Sequence, residues 1–229
     1  MTLKKITLGI LLLAQSVPSF AAPTTDIYGI WGSVALQGDF KLVSPSLNKF
    51  QWQAVYQNGN REDSLKESVF FGQVAYQLNT NASFGLGYLH NSLQPLNKPF
   101  YQESRTYQDF VWNQTVEDFI FTSRTRMEER INQTSGDVGY RMKQLVQISH
   151  ALPFFDGLSG YVNNEIYFHL NQTNFGKQGF SENRVSVGLS YQFTPKIGGD
   201  LSYLEQYMDR RTDDNLLINN LQMNLRYRF

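Results

Sequence analysis

The chain has no cysteine. It can carry no disulfide framework, so its stability has to come from packing and backbone pairing. It has no charge of one sign to spare: 20 Lys+Arg stand against 20 Asp+Glu. That balance excludes the strongly basic footprint of a nucleic-acid-binding domain. Histidine is scarce, and His90, His150 and His169 are too scattered to read as a metal-ligand motif. The sequence therefore calls for no metal and no cofactor. Beyond the first 20 residues no apolar run approaches the roughly 20 residues that a membrane-crossing helix needs. The mean hydropathy of −0.39 agrees. It argues against helices in a bilayer but not against strands, of which only alternate residues face lipid. No Pro/Gly/Ser-rich linker divides the chain, and its length fits one domain.

The first residues are of another kind. Lys4 and Lys5 give a positive start, Ile6 to Ala14 is a short apolar run, and Ser19-Phe20-Ala21 puts small residues where a signal peptidase needs them. This pattern predicts a secretory signal peptide over residues 1–21, cut after Ala21, followed by one domain over 22–229. Residues 1–21 hold two of the 20 cationic side chains and none of the acids, so the remainder carries a small negative balance.

What the rest of the chain has in abundance is alternation. In Asn220 to Phe229, Leu221, Met223, Leu225, Tyr227 and Phe229 share one side of an extended strand, and Asn220, Gln222, Asn224, Arg226 and Arg228 share the other. Such a strand suits a closed barrel in a bilayer, apolar outside and polar inside, with no free edge. Runs of the same kind follow one another from Trp31 onward. Phe50, Trp52, Ala54 and Tyr56 alternate with glutamines. Phe84, Leu86 and Tyr88 alternate with Gly85 and Gly87, where inward glycines would leave room for long side chains opposite. Residues 103–113 read least cleanly: with Arg105, Tyr107 and Asp109 inward, Phe110 and Trp112 face out, but so does Gln108. About eleven runs can be counted. Because single-chain bacterial barrels have even strand numbers, the expectation is an all-β, antiparallel transmembrane barrel of about twelve strands, with ten as the alternative. The short turns at 79–81 and 194–196 are predicted at the periplasmic end, and the longer loops at 58–66, 91–102, 171–180 and 209–216 at the external end.

The most informative interior run is Phe119 to Ile131, where Arg124, Arg126, Glu128 and Arg130 share one face. An Arg facing lipid at mid-depth would cost about 2–4 kcal/mol, so these side chains must face a wet or mutually paired lumen. The predicted lumen lining is Arg124, Arg126, Glu128, Arg130, Arg141, Lys143, Glu165, Glu182, Arg184, Arg226 and Arg228. Two readings compete. A cation-rich constriction would favour small anionic solutes. In a barrel of this size, however, paired Arg and Glu can simply fill the interior and tie neighbouring strands together.

In order along the chain, Trp31 with Ser33 to Asp39, Lys49 to Gln53, Tyr76 to Leu78 with Gly85 to Tyr88, Arg124 to Arg130, and Asn164 to Phe168 resemble a bacterial outer-membrane barrel family known as domain of unknown function 2490. The R-x-R-x-E-x-R run is the most distinctive part. The resemblance implies place and fold, a Gram-negative outer membrane and a transmembrane β-barrel, and carries no activity or catalytic residues. Tyr227 and Phe229 likewise resemble the ending read by the bacterial barrel assembly machinery. The implied surroundings are outer-membrane lipids and lipopolysaccharide, with small solutes as possible cargo and a monomer as the expected state. One alternative is enzymatic. His90 and Ser92 lie two apart, on one face of a strand, and an H-x-S pair also occurs in outer-membrane lipid A deacylases; Glu103 would be the orienting carboxylate. The expected aromatic and Asn surroundings are absent, and the pair reads more simply as a strand end at the headgroup level. Asp209, Asp213 and Asp214 have no Gly-centred calcium loop and read as a solvated charge run.

Overall fold

The computed structural model describes residues 24–95, 100–210 and 214–229. The predicted signal peptide, Pro99 and Asp213 lie outside the described residues. Eleven strands form one closed barrel: β1 (Thr24–Asp39), β2 (Phe50–Arg61), β3 (Lys66–Gln77), β4 (Ala82–Gln94), β5 (Tyr101–Val116), β6 (Phe119–Asn132), β7 (Val138–Ala151), β8 (Leu158–His169), β9 (Gly179–Gln192), β10 (Ile197–Met208) and β11 (Asn215–Arg228). Each strand pairs antiparallel with its sequence neighbours, as hairpin connections dictate. The barrel closes between β1 and β11, and that pair runs parallel, from Thr24 beside Asn215 to Gln37 beside Arg228.

The strand count is the number of alternating runs, one fewer than the parity rule suggested. The rule holds when both chain ends lie at the same end of a barrel. Here β1 starts at the end opposite to the one where β11 stops, so an odd number closes without an antiparallel seam. The turns at 78–81, 117–118, 152–157 and 193–196, the 40–49 connection and Phe229 lie at one end, called lower below. The connections at 62–65, 133–137 and 170–178, with residues 209, 210 and 214, lie at the other, upper end. The predicted short turns and long loops thus separate to opposite ends. Several strands extend into residues read as loop: β4 runs on to Gln94, β9 begins at Gly179, and β11 begins at Asn215.

The inside-outside alternation follows the sequence pattern. Val185, Val187 and Leu189 on β9, Leu201 and Tyr203 on β10, and Leu221, Met223 and Leu225 on β11 form a continuous exposed apolar surface. On β5 to β8 that surface is interrupted at mid-height. Gln108 faces out and is exposed, as the register predicted. Beside it Thr125 donates to Gln144 Oε1 at 2.6 Å, and Gln144 Nε2 donates to Ser123 Oγ at 3.0 Å. Bonding within the sheet is what makes polar groups tolerable on an otherwise apolar surface. The inner glycine of β4 does what its position suggested: Gly87 faces the ring of Tyr107, and a Cβ there would overlap it.

Candidate functional site in the barrel interior

Among the described residues the barrel has two small buried apolar clusters, Ile27 with Leu216 and Ile218, and Val69 with Leu89 and Tyr107. Most of the side chains it buries are polar or charged. Period-2 strands deliver one ionisable side chain every second residue to the inside, and strands β5 to β9 supply most of them. Carboxylates form the nodes. Glu103 accepts two hydrogen bonds from Arg105, at 2.6 and 3.0 Å, and two from Arg130, at 2.5 and 3.0 Å. Asp109 receives Arg126 through both Nε and Nη2 at 2.6 Å. Glu128 binds Arg141 at 2.8 and 2.6 Å and the Lys143 ammonium at 2.8 Å. Glu165 accepts from Arg124 at 2.7 Å and from the Tyr167 hydroxyl at 2.5 Å. Glu182 takes Arg184 at 2.5 Å and Gln206 at 2.7 Å.

The five carboxylate residues Glu103, Asp109, Glu128, Glu165 and Glu182 are all under 10% exposed. Charges so buried persist only when paired and hydrogen-bonded, and the forked guanidinium suits a carboxylate in two parallel bonds. Aromatic faces complete the lattice. The Arg126 guanidinium lies 3.8 Å from the ring centre of Tyr107, and Arg184 lies between Tyr167, at 4.9 Å, and Trp31, at 5.1 Å. Outside the spans, hydrogen bonds from Arg61 hold the Asp63 carboxyl below its ordinary range.

All eleven predicted lining residues lie on the inner face, but not at one level. Arg226 binds Asp200 and donates to Ser190 at 3.0 Å, near the lower end. Arg228 sits exposed at the lower rim. The remaining nine belong to the lattice. The predicted lining does not include Glu103, Asp200 and Tyr167, although each sits at a position of the inward alternation; Asp109 faces in, as the reading of residues 103–113 has it. The lattice separates two cavities. The lower one, about 380 Å³, is bordered by Gln37, Gln51, Gln53, Gln73 and Gln147 together with Arg124 and Arg228. The upper one, about 410 Å³, is bordered by Arg130, Arg141, His169, Phe175, Lys177 and Phe180 among others.

The alternative pair lies elsewhere. His90 and Ser92 are on the outer face near the upper end of β4, with Ser92 Oγ 3.4 Å from His90 Nε2. Glu103 points to the inside and is consumed by two arginines, so it does not orient His90; the residue facing His90 across the β4–β5 pair is Ser104. Among the described residues no group of three or more His, Cys, Asp or Glu could hold a metal ion. Tyr227 and Phe229 pack edge to face at 4.9 Å, with Trp52 5.5 Å from Phe229, at the lower rim.

Comparison with known proteins places this interior in context. An uncharacterised protein of Methylorubrum extorquens is 25% identical over 210 residues, covering 90% of this chain and 85% of that protein. A solved porin structure, NanC in a rhombohedral crystal form, is 17% identical over 83% of this chain and 94% of its own, with a TM-score of 0.48. The family model described as "Protein of unknown function (DUF2490)" matches residues 28–216, spanning β1 to the start of β11. The chain belongs to the DUF2490 family.

Proposed function

We propose that this protein is an outer-membrane β-barrel of a Gram-negative bacterium, exported by its first 21 residues, which provides a narrow passage for small anionic solutes. The carrying observation is the charge count of the constriction. Arg105, Arg124, Arg126, Arg130, Arg141, Lys143 and Arg184, seven cationic side chains, meet the five carboxylates named above between two cavities. A cationic surplus in a low-dielectric bore lowers the barrier for anions and raises it for cations. The exposed apolar belt supports the membrane setting. In this reading the protein works as a monomer among outer-membrane lipids and lipopolysaccharide, Tyr227 and Phe229 serve recognition by the assembly machinery, and no catalysis is involved.

Planar-bilayer recording with the purified protein tests it. The expected result is a small conductance whose reversal potential in a salt gradient reports anions over cations. A tight seal at all voltages would overturn the reading in favour of a filled barrel in which the ion pairs only tie strands together. The near-complete pairing of the lattice favours that second reading. A lipid hydrolase using His90 and Ser92 has less support, since the inner-face position of Glu103 leaves the pair without its expected carboxylate.

A further inference from the structure

We propose that the upper cavity is a binding site for a small organic oxyanion with a flat, apolar body, such as an aromatic carboxylate. This deepens the anion reading above and rests on it for its physiological meaning, though not for its test.

Three features build the site. First, its floor is cationic and rigid. Arg130 and Arg141 are 8% and 6% exposed, and Glu103 and Glu128 hold them through Nε and Nη2, so neither guanidinium can swing away. Second, His169 is 8% exposed and lines the cavity. Its Nε2 lies 3.2 Å from Arg130 Nη1. Arginine only donates, so Nε2 accepts and the hydrogen of the neutral ring sits on Nδ1. The Lys177 backbone carbonyl lies beside the ring, but no partner meets that Nδ1 at full hydrogen-bond geometry among the described residues. A buried donor that its backbone neighbour satisfies poorly is costly, and an oxyanion in the cavity would complete its bonding.

Third, the 170–178 connection is folded to cover the site. Asn171 pins it to β7, accepting from the Tyr140 amide at 2.7 Å and donating to the Val138 carbonyl at 3.0 Å. Gly176, at φ +144°, passes over the His169 ring where a Cβ would come within 2.8 Å. This connection brings Phe175 over Arg130, at 4.2 Å from the ring centre, and sets Lys177 on the rim. With Met208 it gives the cavity apolar walls, and about 410 Å³ is more than a bare inorganic anion would fill. The carboxylates of Glu182 and Asp209 also border the cavity, and Glu182 is held by Arg184 and Gln206. An oxyanion head therefore belongs on the His169 and Arg141 side, with its flat body between Phe175 and Met208.

The test reads binding without conduction. The chain has three histidines, and His90 and His150 lie on the outer face. Histidine-labelled protein in detergent is titrated with sodium benzoate, inorganic phosphate and the neutral analogue benzamide while the ring signals are followed by NMR. Benzoate should shift the His169 signals saturably and leave the other two in place. Phosphate should bind more weakly and benzamide not at all. Lys177→Glu, on an exposed rim, should weaken benzoate by about tenfold, whereas Lys66→Glu, on the outside of the barrel, should not. No saturable His169 shift, equal shifts by benzamide, or an unaltered titration in Lys177→Glu would each overturn the proposal. A benzoate-induced shift in a protein that seals bilayers would instead overturn only the channel reading.

Discussion

Glu128 shows why a buried charge is worth more as a node than as a pair. Its carboxylate, 2% exposed, meets Arg141 and Lys143 directly and Arg126 at 3.9 Å. Replacing it by Gln leaves two or three cationic groups facing one another in a site that water barely reaches. The expected cost is about 3–5 kcal/mol, the usual penalty for removing one partner of a buried ion pair. Urea titration of heat-modifiable gel migration should show a large fall in midpoint for Glu128→Gln. Glu129, the next residue, is exposed on the outer face, and Glu129→Gln should stay within about 0.5 kcal/mol of the parent. Similar losses for both would mean that the lattice does not hold the barrel.

At the scale of strands, β4 and β5 share their load through a glycine. Gly87 exists as glycine because Tyr107, 1% exposed, lies against it from the neighbouring strand, and Tyr107 in turn carries the Arg126 guanidinium. Gly87→Val would push the ring aside and loosen both contacts, at a cost of about 1–3 kcal/mol for overpacking. Adding Tyr107→Ala should restore part of the loss by giving the valine room. A double-mutant cycle in urea checks this, and strictly additive losses would contradict the contact. The outer face of the same region follows another rule. Ser123, Thr125 and Gln144 face outward yet satisfy one another, so their strands keep a polar stretch at mid-height without breaking the ladder.

For the whole molecule the decisive feature is the seam. An eleven-stranded barrel closes only if its first and last strands run parallel, and the register places Ser33 beside Asn224, with Ser33 Oγ donating to Asn224 Oδ1 at 2.6 Å. Since the chain has no cysteine, Ser33→Cys with Asn224→Cys offers one disulfide and no competitor. Oxidised protein should carry the cross-link, visible as a shift in non-reducing gels. A pair out of register, Ser33→Cys with Asn220→Cys, should not form it. Equal cross-linking of both pairs, or of neither, would rule out this closure.

The sequence by itself determined which side chains face in and which face out, because the side-chain period of a strand is 2 whatever the strand pairs with. Even the awkward Gln108 followed that rule. Local text also marked the turns that part to the two ends of the barrel. Only the tertiary structure decided which inward charges meet. Arg130 and Glu103 are 27 residues apart, and Arg124 and Glu165 are 41 apart, so their union depends on register across strands, which alternation does not encode. The same holds for the seam. Period 2 counts strands, but the direction in which the last meets the first depends on where both chain ends lie around a closed ring of hydrogen bonds.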